Sequence, residues 1–138
     1  MTKKTSSKIK KLFFYGLTVG LSLFVLLFVI TCVWIGYEVK DRCRQAQQDY
    51  GNSTCSQALA SLLQDDTRSF ASRNSAVWTL GQLGNPKSLP VLESFYTDNI
   101  PAREPINGTL SQYELKKAIN LTSGGTNITS IFWRYGIE

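Results

Sequence analysis

The sequence contains no histidine, and that absence removes whole classes of chemistry. Without imidazole there is neither Ser-His-Asp nor Cys-His activation of a nucleophile, and no histidine metal ligand. The three cysteines form neither a C-x-x-C pair nor a tetrad, so a zinc site has no support. No glycine loop suited to a phosphate and no Ser-x-x-Lys motif in a suitable setting stands in the chain. The first eleven residues lack any acid, and Leu12–Gly36 lacks both charge and proline.

What remains is a chain of 138 residues, 43% hydrophobic and 18% charged, which leaves room for one modest domain. Its net charge of +5 looks at first like that of a nucleic-acid binder. All of the excess, however, sits in Lys3, Lys4, Lys8, Lys10 and Lys11, and the rest of the chain is formally neutral. A phosphate-binding surface needs clustered Lys and Arg on the folded part. None is evident, and no nucleic-acid partner is expected.

Leu12–Gly36 is a run of 25 uncharged residues. As a helix it would extend about 37 Å, enough for a hydrocarbon core of about 30 Å with some tilt. Phe13, Phe14 and Tyr15 lie near one end, Trp34 and Tyr37 near the other, where interfacial aromatics are expected. A cleaved signal peptide competes with this reading, but its apolar region is normally about 7–15 residues and ends at a small-x-small site. Thr31-Cys32-Val33-Trp34 offers no such site. Val29-Ile30-Thr31 before Cys32 only faintly resembles a lipoprotein box, and Cys32 reads as a small hydrophobe within the run. An uncleaved anchor is the expectation. Five lysines before the run against Lys40, Arg42 and Arg44 after it favour a cytoplasmic N-terminus and an extracytoplasmic domain. A bacterial inner membrane, with the domain facing the periplasm or exterior, fits this arrangement. Gly16 and Gly20 form a G-x-x-x-G pair that suits a homodimer through the membrane helix, although glycine is also common in unpaired membrane helices.

Cys43 and Cys55 flank the turn signal Asp49-Tyr50-Gly51-Asn52-Ser53. If one ends a helix and the other begins the next, they can bridge in an oxidising compartment; two free thiols are the alternative. Asn52, Asn107, Asn120 and Asn127 open N-x-[ST] sequons, which matter only in a eukaryotic secretory pathway. Polar turns account for them equally well.

From Ser56 onward the pattern is helical. Ala58, Leu59, Leu62 and Leu63 recur at three and four after an N-cap at Ser53 or Thr54, and Asp65-Asp66-Thr67 breaks that helix. A second helix is expected over Phe70–Leu83, with Ala76, Val77, Leu80 and Leu83 inward beside Trp78. Gly84, Asn85 and Pro86 then read as stop, cap and start. A third helix carries Leu89, Val91, Leu92 and Phe95, with Pro90 tolerated in its first turn. A fourth runs from about Leu110 to Leu121 through Leu115, Ala118 and Ile119. Between these two, Thr97–Thr109 holds Pro101, Pro105 and Gly108.

The stretch from Arg73-Asn74-Ser75-Ala76 through Leu80-Gly81-Gln82-Leu83-Gly84-Asn85-Pro86 to Leu89-Pro90-Val91-Leu92 resembles the short HEAT-like repeat. That type also occurs in phycobilisome-lyase-related proteins. Asn85 stands where the family usually has aspartate, and Thr79 where it usually has alanine. The resemblance implies an all-α domain of antiparallel helical hairpins, an α-solenoid fragment that contacts proteins. The family's lyase activity does not carry over, because no residue here maps to a catalytic role. Such repeats need about three units to bury their faces. Two at most are present, so capping, the disulfide or the tail must supply the rest.

The expected organisation is a basic cytoplasmic tail (1–11), a transmembrane helix (12–36), a juxtamembrane helix and turn (37–55), a HEAT-like domain (56–125) and an aromatic C-terminal tail (126–138). Two readings of that tail stand. It caps the last hairpin, or Phe132, Trp133 and Tyr135 contact a partner or the nearby bilayer. Asp65, Asp66, Glu93, Glu104 and Glu114 show no sign of converging in a cleft, so no catalytic residue, cofactor or enzyme activity is expected. The expected function is a membrane-anchored scaffold for a protein partner, a membrane complex being one such partner. An accessory subunit working mainly through its membrane helix is the alternative.

Overall fold

The computed structural model describes residues 2–51, 54–105 and 107–137, with side chains described from residue 7 onward. Five α-helices carry the fold: α1 (Thr2–Tyr50), α2 (Cys55–Gln64), α3 (Phe70–Leu83), α4 (Leu89–Phe95) and α5 (Gln112–Thr122). Short 3-10 turns stand at Pro86–Ser88 and Thr129–Phe132. Among the described residues there is no strand.

The apolar run and the juxtamembrane segment are one helix. Nothing in Gly36–Tyr50 interrupts it. On the charged side Glu38 pairs with Arg42 at 3.2 Å and Asp41 with Arg44 at 2.7 Å, both within reach along one helix face. α1 ends at Gly51, whose φ of +90° is a left-handed stop that glycine adopts without strain. At 1.5 Å per residue this rod is about 73 Å long, so one stiff element joins the apolar run to the domain.

The remaining boundaries follow local chemistry. Thr54 and Gln57 form a capping box on α2. Ser69 accepts from the Ser72 N–H to open α3, and Gly84, at φ +61°, closes it. Asn85 accepts from the Lys87 N–H. The third helix nonetheless opens as a 3-10 turn, because Pro90 has no N–H to donate to the Pro86 carbonyl. α5 starts later than Leu110, at the Ser111 cap. There Asn74 of α3 holds the incoming chain, donating to Thr109 O at 2.9 Å and accepting from the Ser111 N–H at 2.8 Å.

α3 is the central helix, packed on α2 to one side and on α5 to the other, while α1 lies against α2 and α3. The core takes Val39, Cys43 and Ala46 from α1; Ala58, Leu59 and Leu63 from α2; Ala76, Val77, Leu80 and Leu83 from α3; Leu92 from α4; and Leu115 and Ala118 from α5. Leu62 and Ile119 are half-buried.

Arg73 is buried at the α2–α3 corner. Its Nε donates to Leu63 O at 2.8 Å, taking up a carbonyl that the end of α2 leaves open. One terminal nitrogen lies 2.8 Å from Asp66, and the guanidinium covers the rings of Phe70 and Phe95. Replacing Arg73 with methionine should cost about 2–3 kcal/mol, the value of a charge-assisted bond to a buried acceptor. Lysine should recover little, since one ammonium cannot reproduce a planar fork. Urea titration of the full chain in detergent, followed by tryptophan fluorescence, reads both variants.

Candidate interaction surface

The domain is built onto a continuous stripe of α1. Cys32, Gly36, Val39, Cys43 and Ala46 are all buried, spaced at three or four so that they share one face. Cys43 lies two turns before the end of α1 and Cys55 opens α2. The two are joined as a disulfide, with Cα atoms 5.1 Å apart. Cys32 is a free, buried thiol.

The upper part of the stripe is covered by the C-terminal tail. After Gly124-Gly125 it turns back, and its 3-10 turn at Thr129–Phe132 packs on α1. Asn127 Nδ2 donates to Gln82 Oε1 at 2.8 Å, and the Arg134 guanidinium donates to Gln82 O at 3.0 Å, tying the turn to the end of α3. Trp133 is half-buried on Gly36, so close that a Cβ there would meet Trp133 Cβ at 2.6 Å. Phe132 meets Phe28 edge to face at 5.9 Å between ring centres. Of the three aromatics expected to contact a partner, Trp133 therefore faces inward, while Phe132 and Tyr135 are exposed together with Ile128 and Ile131. Sequence reasoning missed Phe28 and Gly36 as tail contacts, and the burial of Cys32 between them. The signal was their spacing, which continues the stripe into the apolar run.

The apolar run carries three aliphatic hydroxyls. Each donates to the carbonyl four residues back: Thr18 to Phe14, Ser22 to Thr18 and Thr31 to Leu27. Such back-bonding satisfies a hydroxyl without water. Gly16 and Gly20 have nothing within 4 Å of where a Cβ would stand, so that face of the helix is open.

The acids lie in separate settings. Asp65 closes α2 and accepts from Thr67 through its hydroxyl (2.6 Å) and N–H (3.0 Å), and from the Tyr50 hydroxyl at 2.6 Å. The Thr67 hydroxyl, the Tyr50 hydroxyl and the Thr67 N–H, in that order, hold its pKa at about 2. Asp66 pairs with Arg73 and Glu114 with Lys117, while Glu93 is exposed. Glu104 folds back onto the start of α5, accepting from the N–H groups of Gln112 (2.7 Å) and Tyr113 (3.1 Å) and from the Ser111 hydroxyl. Burial alone would raise its pKa, but these three bonds together outweigh it and lower it.

Because the folded pKa of Asp65 lies below its ordinary value of 3.8, its stabilising effect is complete above about pH 4 to 5 and fades as pH falls toward 2. Asp65→Asn should therefore flatten the fall in melting temperature between pH 5 and pH 2. An unchanged slope would mean that the Asp65 bonds do not contribute.

Among the sequons, Asn52 lies outside the described residues. Asn107 and Asn120 are exposed, whereas Asn127 is half-buried and bonded to Gln82 and to the Thr129 hydroxyl. No three of Cys, Asp or Glu among the described residues converge on a point that could hold a metal ion.

With this geometry in view, the chain was compared with known proteins. No family model, curated protein or solved structure matches it. The long apolar α1, of which Ser7–Tyr50 is long and apolar enough to cross a bilayer, satisfies the description of a membrane span or of a signal sequence.

Proposed function

We propose that the chain is a single-pass membrane protein with a cytoplasmic N-terminus, holding a small HEAT-like domain outside the cytoplasm as a scaffold for a protein partner. The observation that carries this reading is the sharing of α1 between the apolar run and the domain core. Cleavage after Gly36 would strip Gly36 from beneath Trp133 and Phe28 from beside Phe132, which favours an anchor over a signal peptide. The five lysines before the run favour the orientation, and the Cys43–Cys55 bridge suits an oxidising compartment.

The HEAT-like reading draws support from two helix pairs, α2–α3 and α4–α5, joined by the stop–cap–start of Gly84-Asn85-Pro86. Two such pairs fall short of the usual three. α1 covers the flank of α2 that a further pair would otherwise cover, and the disulfide fixes it there. The domain is thus carried on its anchor as a rigid body, an arrangement suited to presenting a surface at a set height above a bilayer.

A second reading, an accessory subunit acting through its membrane helix, has the open face at Gly16 and Gly20 in its favour. A chimera replacing Leu12–Leu27 with an unrelated apolar helix separates the two, because it keeps Phe28 onward and so the whole tail contact. Both proteins would be cross-linked in membranes and purified in mild detergent. A partner linked to the domain in both supports the scaffold; a partner linked only to the native chain supports the second reading and removes the first.

A further inference from the structure

We infer that the C-terminal 3-10 turn is seated in the membrane, with Ile128, Ile131 and Phe132 facing lipid acyl chains in the leaflet on the domain's side. The inference rests on reading Leu12–Gly36 as a bilayer span.

Depth is the first argument. The lysines at positions 8, 10 and 11 hold the start of the hydrocarbon near Leu12. A core of about 30 Å takes about 20 helical residues, which reaches Thr31. This placement leaves Phe28 as shallow as the lysines allow, yet still about 5 Å inside the core boundary. Centring the run in the bilayer puts Phe28 deeper. Phe132, with its ring centre 5.9 Å from that of Phe28, therefore lies at the core boundary or inside it.

The composition of the turn fits that position. Ile128, Ile131 and Phe132 are 60%, 65% and 61% exposed, a cluster that would be costly to leave in water. The hydroxyls of the turn are closed on themselves, as in the span, while Trp133 Nε1 and Arg134 Nε just after it are buried without a partner. The Thr129 hydroxyl donates to Asn127 Oδ1 and the Ser130 hydroxyl to Asn127 O, both at 2.8 Å. The Trp133 and Arg134 N–H groups donate to Ser130 O. No acid lies between Glu114 and Glu138, so nothing anionic would be carried toward the bilayer with the turn. Tyr135, 91% exposed, follows the turn, and Trp34 and Tyr37 stand exposed farther along α1; all three are residues favoured at the headgroup level.

A protein partner could in principle cover the same apolar face. Lipid is the better-supported occupant because the face is continuous with the surface of the run itself, through the Phe28–Phe132 contact.

The test uses the full chain in phosphatidylcholine vesicles, with Cys32→Ala and the Cys43–Cys55 bridge intact. Nitroxide labels are placed one at a time through Phe132→Cys, Ile131→Cys, Gly20→Cys and Tyr113→Cys. Relaxation by oxygen reports lipid, and relaxation by a water-soluble nickel chelate reports solvent. The labels at 131 and 132 should resemble the one at 20, with an oxygen-to-nickel ratio about tenfold or more above that at the exposed position 113, because a polar chelate is excluded from hydrocarbon. Labels at 131 and 132 that behave like 113, while 20 remains in lipid, overturn the seating of the turn and leave the span intact. A water-exposed label at 20 overturns both. Labels at 131 and 132 shielded from oxygen and nickel alike mean that protein, such as a second copy of the chain, covers the face, and this too overturns the inference.

Discussion

Reducing the Cys43–Cys55 bridge should lower the stability of the domain by about 3 kcal/mol, the chain-entropy value for a loop of about a dozen residues. The bridge joins α1 to α2, and this junction couples the long first helix to the rest of the core. Its loss should therefore have two consequences. The melting temperature in detergent should fall by several degrees, and the α1–α2 junction should become the first site of proteolysis. A Cys43→Ala, Cys55→Ala double variant should behave like the reduced protein. If reduction leaves both the melting curve and the cleavage pattern unchanged, the packing of Val39 and Ala46, the Tyr50–Asp65 bond and the tail contacts hold α1 in place without the bridge.

Gly81 should tolerate no side chain. A Cβ there would stand 2.8 Å from Ala118 Cα and 3.0 Å from Ala118 Cβ, where α3 and α5 make their close approach. Helix propensity alone would make Gly81→Ala stabilising by about 1 kcal/mol. Overpacking of about 2–3 kcal/mol acts the other way and should win, leaving a net loss of about 1–2 kcal/mol. Gly81→Leu should cost about 3 kcal/mol or more and detach α5. Adding Ala118→Gly should rescue the alanine variant only in part, because the nearer obstacle is backbone. Urea titration checks the sign, and a stabilised Gly81→Ala would refute the close packing of these helices.

Much of the domain was legible in local chemistry. Phe70–Leu83 was closed by a glycine stop at Gly84, and the core positions of α2 and α3 followed their three-and-four spacing. What stayed hidden was long-range. Val39, Cys43 and Ala46 sit among Glu38, Lys40, Asp41, Arg42 and Arg44, so their face is diluted by charge and reads as a solvated juxtamembrane segment. Only the position of the domain turns it into core. Arg73 and Thr79 are buried although their side chains are polar. Arg73 is satisfied by the Leu63 carbonyl and Asp66, and Thr79 by the Ser75 carbonyl, partners that hydropathy does not register. The fold-back of the tail onto Phe28 and Gly36 depends on contacts across about a hundred residues of sequence and leaves no local mark beyond a glycine in register with the stripe.

Taken together, these contacts make the apolar run and the domain a single mechanical unit. There is no flexible linker between the apolar run and the core, because α1 belongs to both, and the tail closes over their junction. A partner bound by such a domain would be held at a height and orientation set by the tilt of one helix. On the proposed reading, that is a different task from tethering by a flexible stalk, and it accounts for the packing of Trp133 on Gly36.

The central claim is tested most directly by fractionating membranes that contain the full chain and measuring the intact mass of the protein recovered. The expected result is a species that resists alkaline extraction and still carries the lysines of residues 3–11 and the whole apolar run. A shorter, soluble species beginning beyond Gly36 would contradict the account, because the apolar run would then have been a cleaved signal and Trp133 would have lost the surface on which it rests.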